Sequence, residues 1–103
     1  MRLEEFRDIL LLADPEATHY FKLGGGQNYT TWHEFAADIH SADDREDERV
    51  WHVQVDRFTK TEYDPMIRAI EETLDRDDLF WSYRVTQEPD TGYIHHIWTV
   101  EAI

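Results

Sequence analysis

The sequence contains no cysteine, which excludes disulfide bonds, thiolate metal sites and a thiol nucleophile. Long hydrophobic runs are also missing: the longest in the N-terminal part, Ile9 to Ala13, has five residues. This length is too short for the core of a signal peptide or for a membrane span. We therefore expect a protein that is made and used in a cytoplasm, or in a particle assembled there.

Positive charge is scarce as well. The 103 residues include 10 basic and 23 acidic side chains, which gives a formal net charge of −13. Binding to nucleic acids or anionic membranes needs clustered lysine and arginine, so neither kind of surface is expected. A disordered chain is equally unexpected, because 41% of the residues are hydrophobic and four are tryptophan. The length is that of one packed domain, residues 1–103.

Hydrophobic periodicity and turn residues predict two helices and five strands. The first helix should stop at Asp14, because the residue before Pro15 disfavours helical backbone. The second helix has Pro65 in its first turn and Asp64 as its N-cap. Residues 38–49 hold six acids, and we interpret them as a solvated acidic loop. The predicted elements are a helix over 2–14, strands over 19–23, 29–37 and 50–59, a helix over 63–75, and strands over 79–87 and 93–103.

This order, α-β-β-β-α-β-β, predicts an α+β fold. The connections have hairpin lengths, which favours an antiparallel or mixed sheet of about five strands. A chain of this size is expected to pack both helices on one face of that sheet.

The sequence offers no catalytic, cofactor or metal site. His95 and His96 are adjacent in a predicted strand and point to opposite faces. His33, His52 and His96 would converge on a metal only if their strands were neighbours in a suitable register, and strand histidines on a polar face are the plainer interpretation. The carboxylates follow exposed loops and helix ends, and neither serine lies in a nucleophile elbow. We therefore predict no enzyme activity and no cofactor.

Gly24, Gly25 and Gly26 lack the Lys-Ser/Thr that follows a phosphate-binding glycine loop, and a strand rather than a helix is predicted after them. We interpret them as a hairpin tip or an arm that orders on assembly. The four tryptophans lie in predicted strands. Since aromatic and arginine side chains are enriched in interface cores, these rings either fill the core or form a face that binds a partner.

The segment Val53-Gln54-Val55-Asp56-Arg57-Phe58-Thr59-Lys60 resembles a strand of small tail proteins from long-tailed phages and prophages. In that family a short acidic connection and a helix follow the strand, then an aromatic-bearing strand, an acidic turn and a closing strand. The long acidic insert at Asp38 to Arg49 and the turn at Gly24 to Gly26 depart from the family pattern. The segments that match the order are Thr18 to Phe21, Glu62 to Pro65, Ile67 to Leu74, Leu79 to Arg84, Glu88 to Gly92 and Ile94 to Ile103.

The resemblance implies a tail terminator, tail completion or head–tail joining protein of the virion. Such proteins form rings, commonly of six copies, at the head-proximal end of the tail. They cap the tail tube protein and dock the head–tail connector or stopper protein, and they are neither enzymes nor cofactor carriers. An acidic lumen would let DNA pass without binding it. The residues expected at an interface or lumen are Asp43, Asp44, Glu46, Asp47, Glu48, Gly24, Gly25, Gly26, Trp32, Trp51 and Arg57.

Two other functions stay open. An acidic monomer could bind one basic partner, as immunity proteins and DNA mimics do, and its charge fits this role well. A small enzyme or ligand-binding domain could use the histidines. The state of assembly distinguishes the tail protein from the immunity-type protein, because a tail protein forms a ring and an immunity-type protein binds its partner as a monomer.

Overall fold

The computed structural model describes residues 1–22, 27–39 and 49–103. The chain has an α+β fold with the predicted order of elements. The helices are α1 (Leu3–Ala13) and α2 (Pro65–Arg76), and the strands are β1 (Thr18–His19), β2 (Tyr29–Ile39), β3 (Arg49–Thr59), β4 (Phe80–Glu88) and β5 (Tyr93–Glu101).

The five strands form one mixed sheet in the order β1-β2-β3-β5-β4. β1 pairs parallel with β2, and every other pair is antiparallel. Trp32, Val55, Trp98 and Tyr83 lie side by side in one row across β2, β3, β5 and β4. Since side chains alternate between faces along each strand, this row identifies the residues of the four strands that share its face, up to the bulge in β2 between Glu34 and Ala36.

Each helix contacts a side chain of this row. The ring of Phe6 in α1 lies 5.5 Å from that of Trp32, and the indole nitrogen of Trp98 donates to Glu71 of α2 at 3.0 Å. We call the side of the sheet that carries this row the core face and the opposite side the outer face. The buried core consists of Phe6, Leu10, Trp32, Val53, Val55, Ile70, Leu74, Trp98, Val100 and Ile103.

The start of α2 agrees with its sequence signals. The carboxylate of Asp64 accepts the backbone N–H of Met66 at 3.0 Å, which is the predicted N-cap bond, and Pro65 occupies the first helical position. An N-cap of this kind satisfies one of the backbone donors that the first turn leaves without an intrahelical partner.

Three predicted boundaries are corrected. The first strand covers only Thr18–His19, because Tyr20 has a φ of 69° and turns the chain out of the extended conformation. Asp38, Ile39 and Arg49 of the predicted loop over 38–49 belong to strands, since β2 continues to Ile39 and β3 begins at Arg49, and the rest of that prediction lies outside the described residues. The last strand ends at Glu101, where Ala102 has a φ of 56°.

The β2–β3 hairpin extends beyond the rest of the sheet. Ladder pairing between β3 and β5 begins at Val53, which lies opposite Val100, and two further backbone bonds join Trp51 to Ile103. Past Trp51, β3 is paired with β2 alone as far as the Arg49–Ile39 pair. The far end of this hairpin is therefore a two-stranded ribbon.

Candidate interaction surfaces

The large hydrophobic side chains that the sheet leaves exposed lie at its two edges. At one edge they come from β2 and the residues that follow β1, and at the other edge from β4. Among the described residues, the two central strands β3 and β5 expose none of this class. The exposed members are Tyr20, Phe21, Phe35 and Ile39 at the first edge, and Phe80, Tyr83 and Val85 at the second.

β4 is an edge strand with few of the features that usually protect an edge. It pairs with β5 over all nine of its residues with no register shift, from Phe80 opposite Glu101 to Glu88 opposite Tyr93. It contains no proline, and its single internal charge is Arg84. Native sheets commonly carry proline, bulges or several charges at their edges, because these features prevent an unpaired strand from pairing with another chain. β4 is therefore suited to association.

The opposite edge is only partly covered. β1 pairs with β2 at Thr31 and Trp32 and at no later residue of β2. A bulge then interrupts β2 between Glu34 and Ala36, and from there to Ile39 no strand in the described part of the chain pairs with the side of β2 that faces away from β3. The last four residues of β2 thus form a second, shorter open edge.

A groove on the core face separates the N-terminal half of α2 from β5. Its volume is 620 Å³, and its apolar walls include Tyr63, Ile67 and Ile94. His96 lines it too and lies 2.7 Å from the hydroxyl of Tyr83. Burial lowers the pKa of His96, which keeps its imidazole neutral and able to accept from that hydroxyl. Burial and nearby Glu71 raise the pKa of Tyr83, so the phenol stays protonated.

A buried ion network joins both helices to the core face. Arg57 of β3 donates to Asp64 at 3.0 Å, to Asp14 at 3.4 Å and to the Thr30 hydroxyl at 3.1 Å. Burial alone would raise the pKa of Asp64. Hydrogen bonds from the Met66 N–H and the Thr59 hydroxyl and the charge of Arg57 outweigh that effect and lower the pKa. Since Asp14 ends α1 and Asp64 begins α2, Arg57 fixes the positions of both helix ends.

The outer face carries a polar and aromatic cluster. The buried carboxylate of Asp56 lies 2.7 Å from His95 and 3.8 Å from His33. His95 also stacks on Phe58 at 4.0 Å, and Phe58 stacks on Tyr29 at 4.8 Å. This cluster packs three neighbouring strands together and leaves Asp56 almost without solvent contact.

His52 bridges the hairpin and the end of β5. Its Nε2 lies 3.1 Å from Asp38, and its Nδ1 lies 2.9 Å from Glu101. Ionised carboxylates only accept hydrogen bonds, so both bonds form together only when the imidazole is protonated. Accordingly, the hydrogen bonds to Asp38 and Glu101 raise the pKa of His52.

His33, His52 and His96, which a shared metal ion would have required to lie together, do not converge. His33 and His95 flank Asp56 on the outer face, His52 lies at the base of the ribbon, and His96 is on the core face. In the part of the chain that the structure describes, no three His, Asp or Glu side chains form a group that could hold a metal ion.

The predicted interface residues have different environments. Trp32 is 3% exposed and Arg57 is 8% exposed, so both serve the interior, which corrects the expectation that they face a partner. Trp51 is half-buried against the core, with Arg49 over its ring. The remaining predicted positions, Asp43, Asp44, Glu46, Asp47, Glu48, Gly24, Gly25 and Gly26, lie outside the described residues.

The open edge of β4 is the main feature that the residue pattern did not reveal. Phe80, Trp81, Tyr83 and Val85 place apolar side chains on both faces of the strand. Such a run is typical of a strand buried on both sides, and only the strand order shows that β4 lies at an edge.

Neither a family model nor a curated protein matches the chain. Within the described residues, no helix is long and apolar enough to cross a membrane.

Proposed function

We propose that this protein is a structural component of a tailed virus, a tail terminator or tail completion protein. It forms a ring, commonly of six copies, at the head-proximal end of the tail. The ring caps the tail tube protein and docks the head–tail connector or stopper. The sequence resemblance motivates this role, and one structural observation supports it: two different apolar patches occupy opposite edges of a single sheet.

That observation favours head-to-tail association. A two-fold dimer needs one patch, which meets its own copy. Two unlike patches at opposite edges allow each copy to use one patch on each neighbour, and rotation closes such a series into a ring. The exposure of Phe21 at one edge and of Phe80 at the other, 73% and 81%, is high for side chains that would face water permanently.

The charge is compatible with this position in a particle. A net charge of −13 makes the surface repel phosphate, so DNA passing through the ring would not adhere to it. The protein itself would bind no specific nucleic acid sequence and no membrane.

The state of assembly tests this proposal. The purified protein, alone and mixed with tail tubes, is examined by sedimentation velocity and by negative-stain electron microscopy. We expect closed rings, or caps on tube ends that stop further tube growth. A protein that stays monomeric in both conditions and binds one basic partner in a one-to-one complex would instead support the immunity-type alternative.

Phe80→Asp tests the role of the β4 patch in this experiment, and Tyr63→Asp is its matched control. Phe80 is exposed, so the variant should fold normally, and a charge in the β4 patch should weaken ring formation. Tyr63→Asp changes an even more exposed side chain, on the connection before α2, and should leave ring formation intact.

A further inference from the structure

The backbone groups of β4 that point away from the sheet can be identified. Trp51 and Ile103 exchange both of their backbone hydrogen bonds, at 3.1 and 3.0 Å, so the N–H and C=O of Trp51 point from β3 towards β5. These directions alternate along a strand. The alternation can be followed from β3 to β5 and then from β5 to β4 through their paired residues. It leaves the backbone N–H and C=O groups of four β4 residues pointing away from the sheet: Trp81, Tyr83, Val85 and Gln87.

The same reasoning applies to the end of β2. Ala37 lies opposite Trp51, whose backbone groups point away from β2. Ala37 therefore belongs to a pair without mutual hydrogen bonds, and its own N–H and C=O point outward, as do those of Ile39. The bond from the Tyr20 N–H to the Trp32 C=O, at 2.8 Å, shows the same outward direction nearer the start of β2.

The strands at the two open edges, β2 and β4, also run in directions that allow antiparallel pairing between copies. β3 runs antiparallel to β2, β5 antiparallel to β3, and β4 antiparallel to β5. β4 and β2 therefore run in opposite directions within one sheet. If the next copy continues the sheet with its core face on the same side, its β2 meets β4 as an antiparallel neighbour, which is the commoner type of pairing.

We propose that the end of β2 from one copy, Ala36 to Ile39, adds to β4 of the next copy as an antiparallel strand. This inference rests on the proposed ring-forming role and names the contact that closes the ring. In the register proposed, Ile39 lies opposite Tyr83, Asp38 opposite Arg84, Ala37 opposite Val85 and Ala36 opposite Thr86.

This register satisfies the backbone and the side chains together. Ala37–Val85 and Ile39–Tyr83 become the hydrogen-bonded pairs, because all four residues present outward backbone groups. On the core face, exposed Ile39 meets exposed Tyr83, and Ala37 meets Val85. A shift by one residue would place outward-pointing backbone groups of one strand opposite inward-pointing groups of the other. It would also place core-face side chains beside outer-face side chains.

Charge on the outer face favours a second copy as the occupant. Two chains of net charge −13 repel each other over most of their surfaces. From Phe80 to Gln87, β4 carries one charge, the positive Arg84, and the facing position on β2 is the negative Asp38. Opposite charges on facing positions of neighbouring strands stabilise the pairing, whereas like charges destabilise it.

A cysteine pair tests the register directly, because the natural chain has no cysteine. Asp38 and Arg84 form a pair without mutual hydrogen bonds, with a Cα spacing of about 4.5 Å, which a disulfide can bridge. They lie at opposite edges of one sheet, so Asp38→Cys with Arg84→Cys can join only different copies. Under oxidation we expect a ladder of covalent multimers on non-reducing gels. The control, Asp38→Cys with Val85→Cys, places the thiols on opposite faces and should give no ladder.

Val85→Pro tests the backbone contact. The outward N–H of Val85 takes no part in the β4–β5 ladder, so proline there should be tolerated in the monomer while it blocks strand addition. We expect loss of the ring with retention of cooperative unfolding. Thr86→Pro is the contrasting variant: the N–H of Thr86 points inward to His95, so this change should destabilise the monomer itself.

The outcomes separate this inference from the proposed function. Rings that form from natural protein, with no ladder from the matched cysteine pair and normal assembly of Val85→Pro, would overturn the strand contact and leave the tail role standing. A ladder of equal strength from both cysteine pairs would overturn the register. Failure of the natural protein to associate in any condition would overturn the role and the contact together.

Discussion

The body of the sheet and the projecting ribbon of the β2–β3 hairpin are stabilised in different ways. In the body, Val55 and Trp98 are buried under two helices, and a buried ion network fixes the ends of both helices. In the ribbon, β3 pairs with β2 alone, and the tie to the body is the exposed cluster of His52, Asp38 and Glu101. Burial makes the first region sensitive to the loss of any partner, whereas the tie of the second region depends on the protonation of His52.

The largest effect is expected from loss of a core ring in the body. Trp98 is fully buried, so Trp98→Ala should lower the free energy of unfolding by about 3–5 kcal/mol. Phe80→Ala, an aromatic change in the neighbouring strand but at an exposed position, should change it by less than about 0.5 kcal/mol. Urea denaturation measures both values. Equal losses of unfolding free energy in the two variants would show that Trp98 and Phe80 do not differ in burial.

Loss of the arginine in the ion network should have the next largest effect. Arg57→Met leaves Asp14 and Asp64 charged, buried and unpaired, and should cost about 3 kcal/mol. The triple variant Arg57→Met, Asp14→Asn, Asp64→Asn removes those charges and keeps an effective N-cap, so it should regain part of the loss. A triple variant less stable than the single one, measured in the same urea series, would contradict this account of the network.

Acid should weaken the same network. The pKa of Asp64 is lower in the folded protein than in the unfolded chain. Its contribution is therefore complete above the unfolded pKa, about 3.9, and is lost as pH falls through the folded value. Asp64→Asn should flatten this part of the dependence of the unfolding free energy on pH. An unchanged slope between about pH 5 and pH 2 would assign acid sensitivity to other carboxylates.

The smallest expected effect is on the stability of the ribbon, which should fall as pH rises rather than as pH falls. The pKa of His52 is raised, so its contribution is complete below the unfolded pKa, about 6.5, and is lost as pH rises through the folded value. We expect the amides of Ala36 and Asp38, which face β3, to exchange faster with solvent above that value, while the amide of Val55 stays protected. Hydrogen exchange read by NMR separates the two regions.

Glu101→Gln isolates the cause of this pH dependence. It removes one of the two carboxylates that face the imidazole and keeps the size of the side chain. The pKa of His52, followed by NMR titration of its ring protons, should move down towards the ordinary value. A pKa that does not move would mean that Asp38 alone sets the protonation of His52.

Much of the fold could be predicted from local patterns. Alternation along Val50 to Thr59 identified β3, and the sequence Asp64-Pro65 identified the start of α2. Both signals act within a few residues, through side-chain alternation and through N-capping. The end of β1 could not be predicted in this way, because it depends on the left-handed backbone of Tyr20, whose hydroxyl bonds Glu34 and whose ring stacks near His33.

The candidate surfaces were less predictable. Arg57 and Trp32 have residue types that are common in interfaces, yet distant partners bury them: Asp14 is 43 residues from Arg57, and Phe6 lies against Trp32. The two open edges likewise depend on strand order, which no single segment encodes. Residue type alone therefore could not tell which aromatic and arginine side chains the fold would bury.

The sequence by itself determined the number and order of the elements, the absence of thiol chemistry and the strong negative charge, because each follows from composition or from neighbours along the chain. The tertiary structure alone decided which strands lie at the edges, which arginine is buried and which histidine meets two carboxylates. These features arise from contacts between residues that are far apart in sequence, and the register of the sheet determines which of those contacts form.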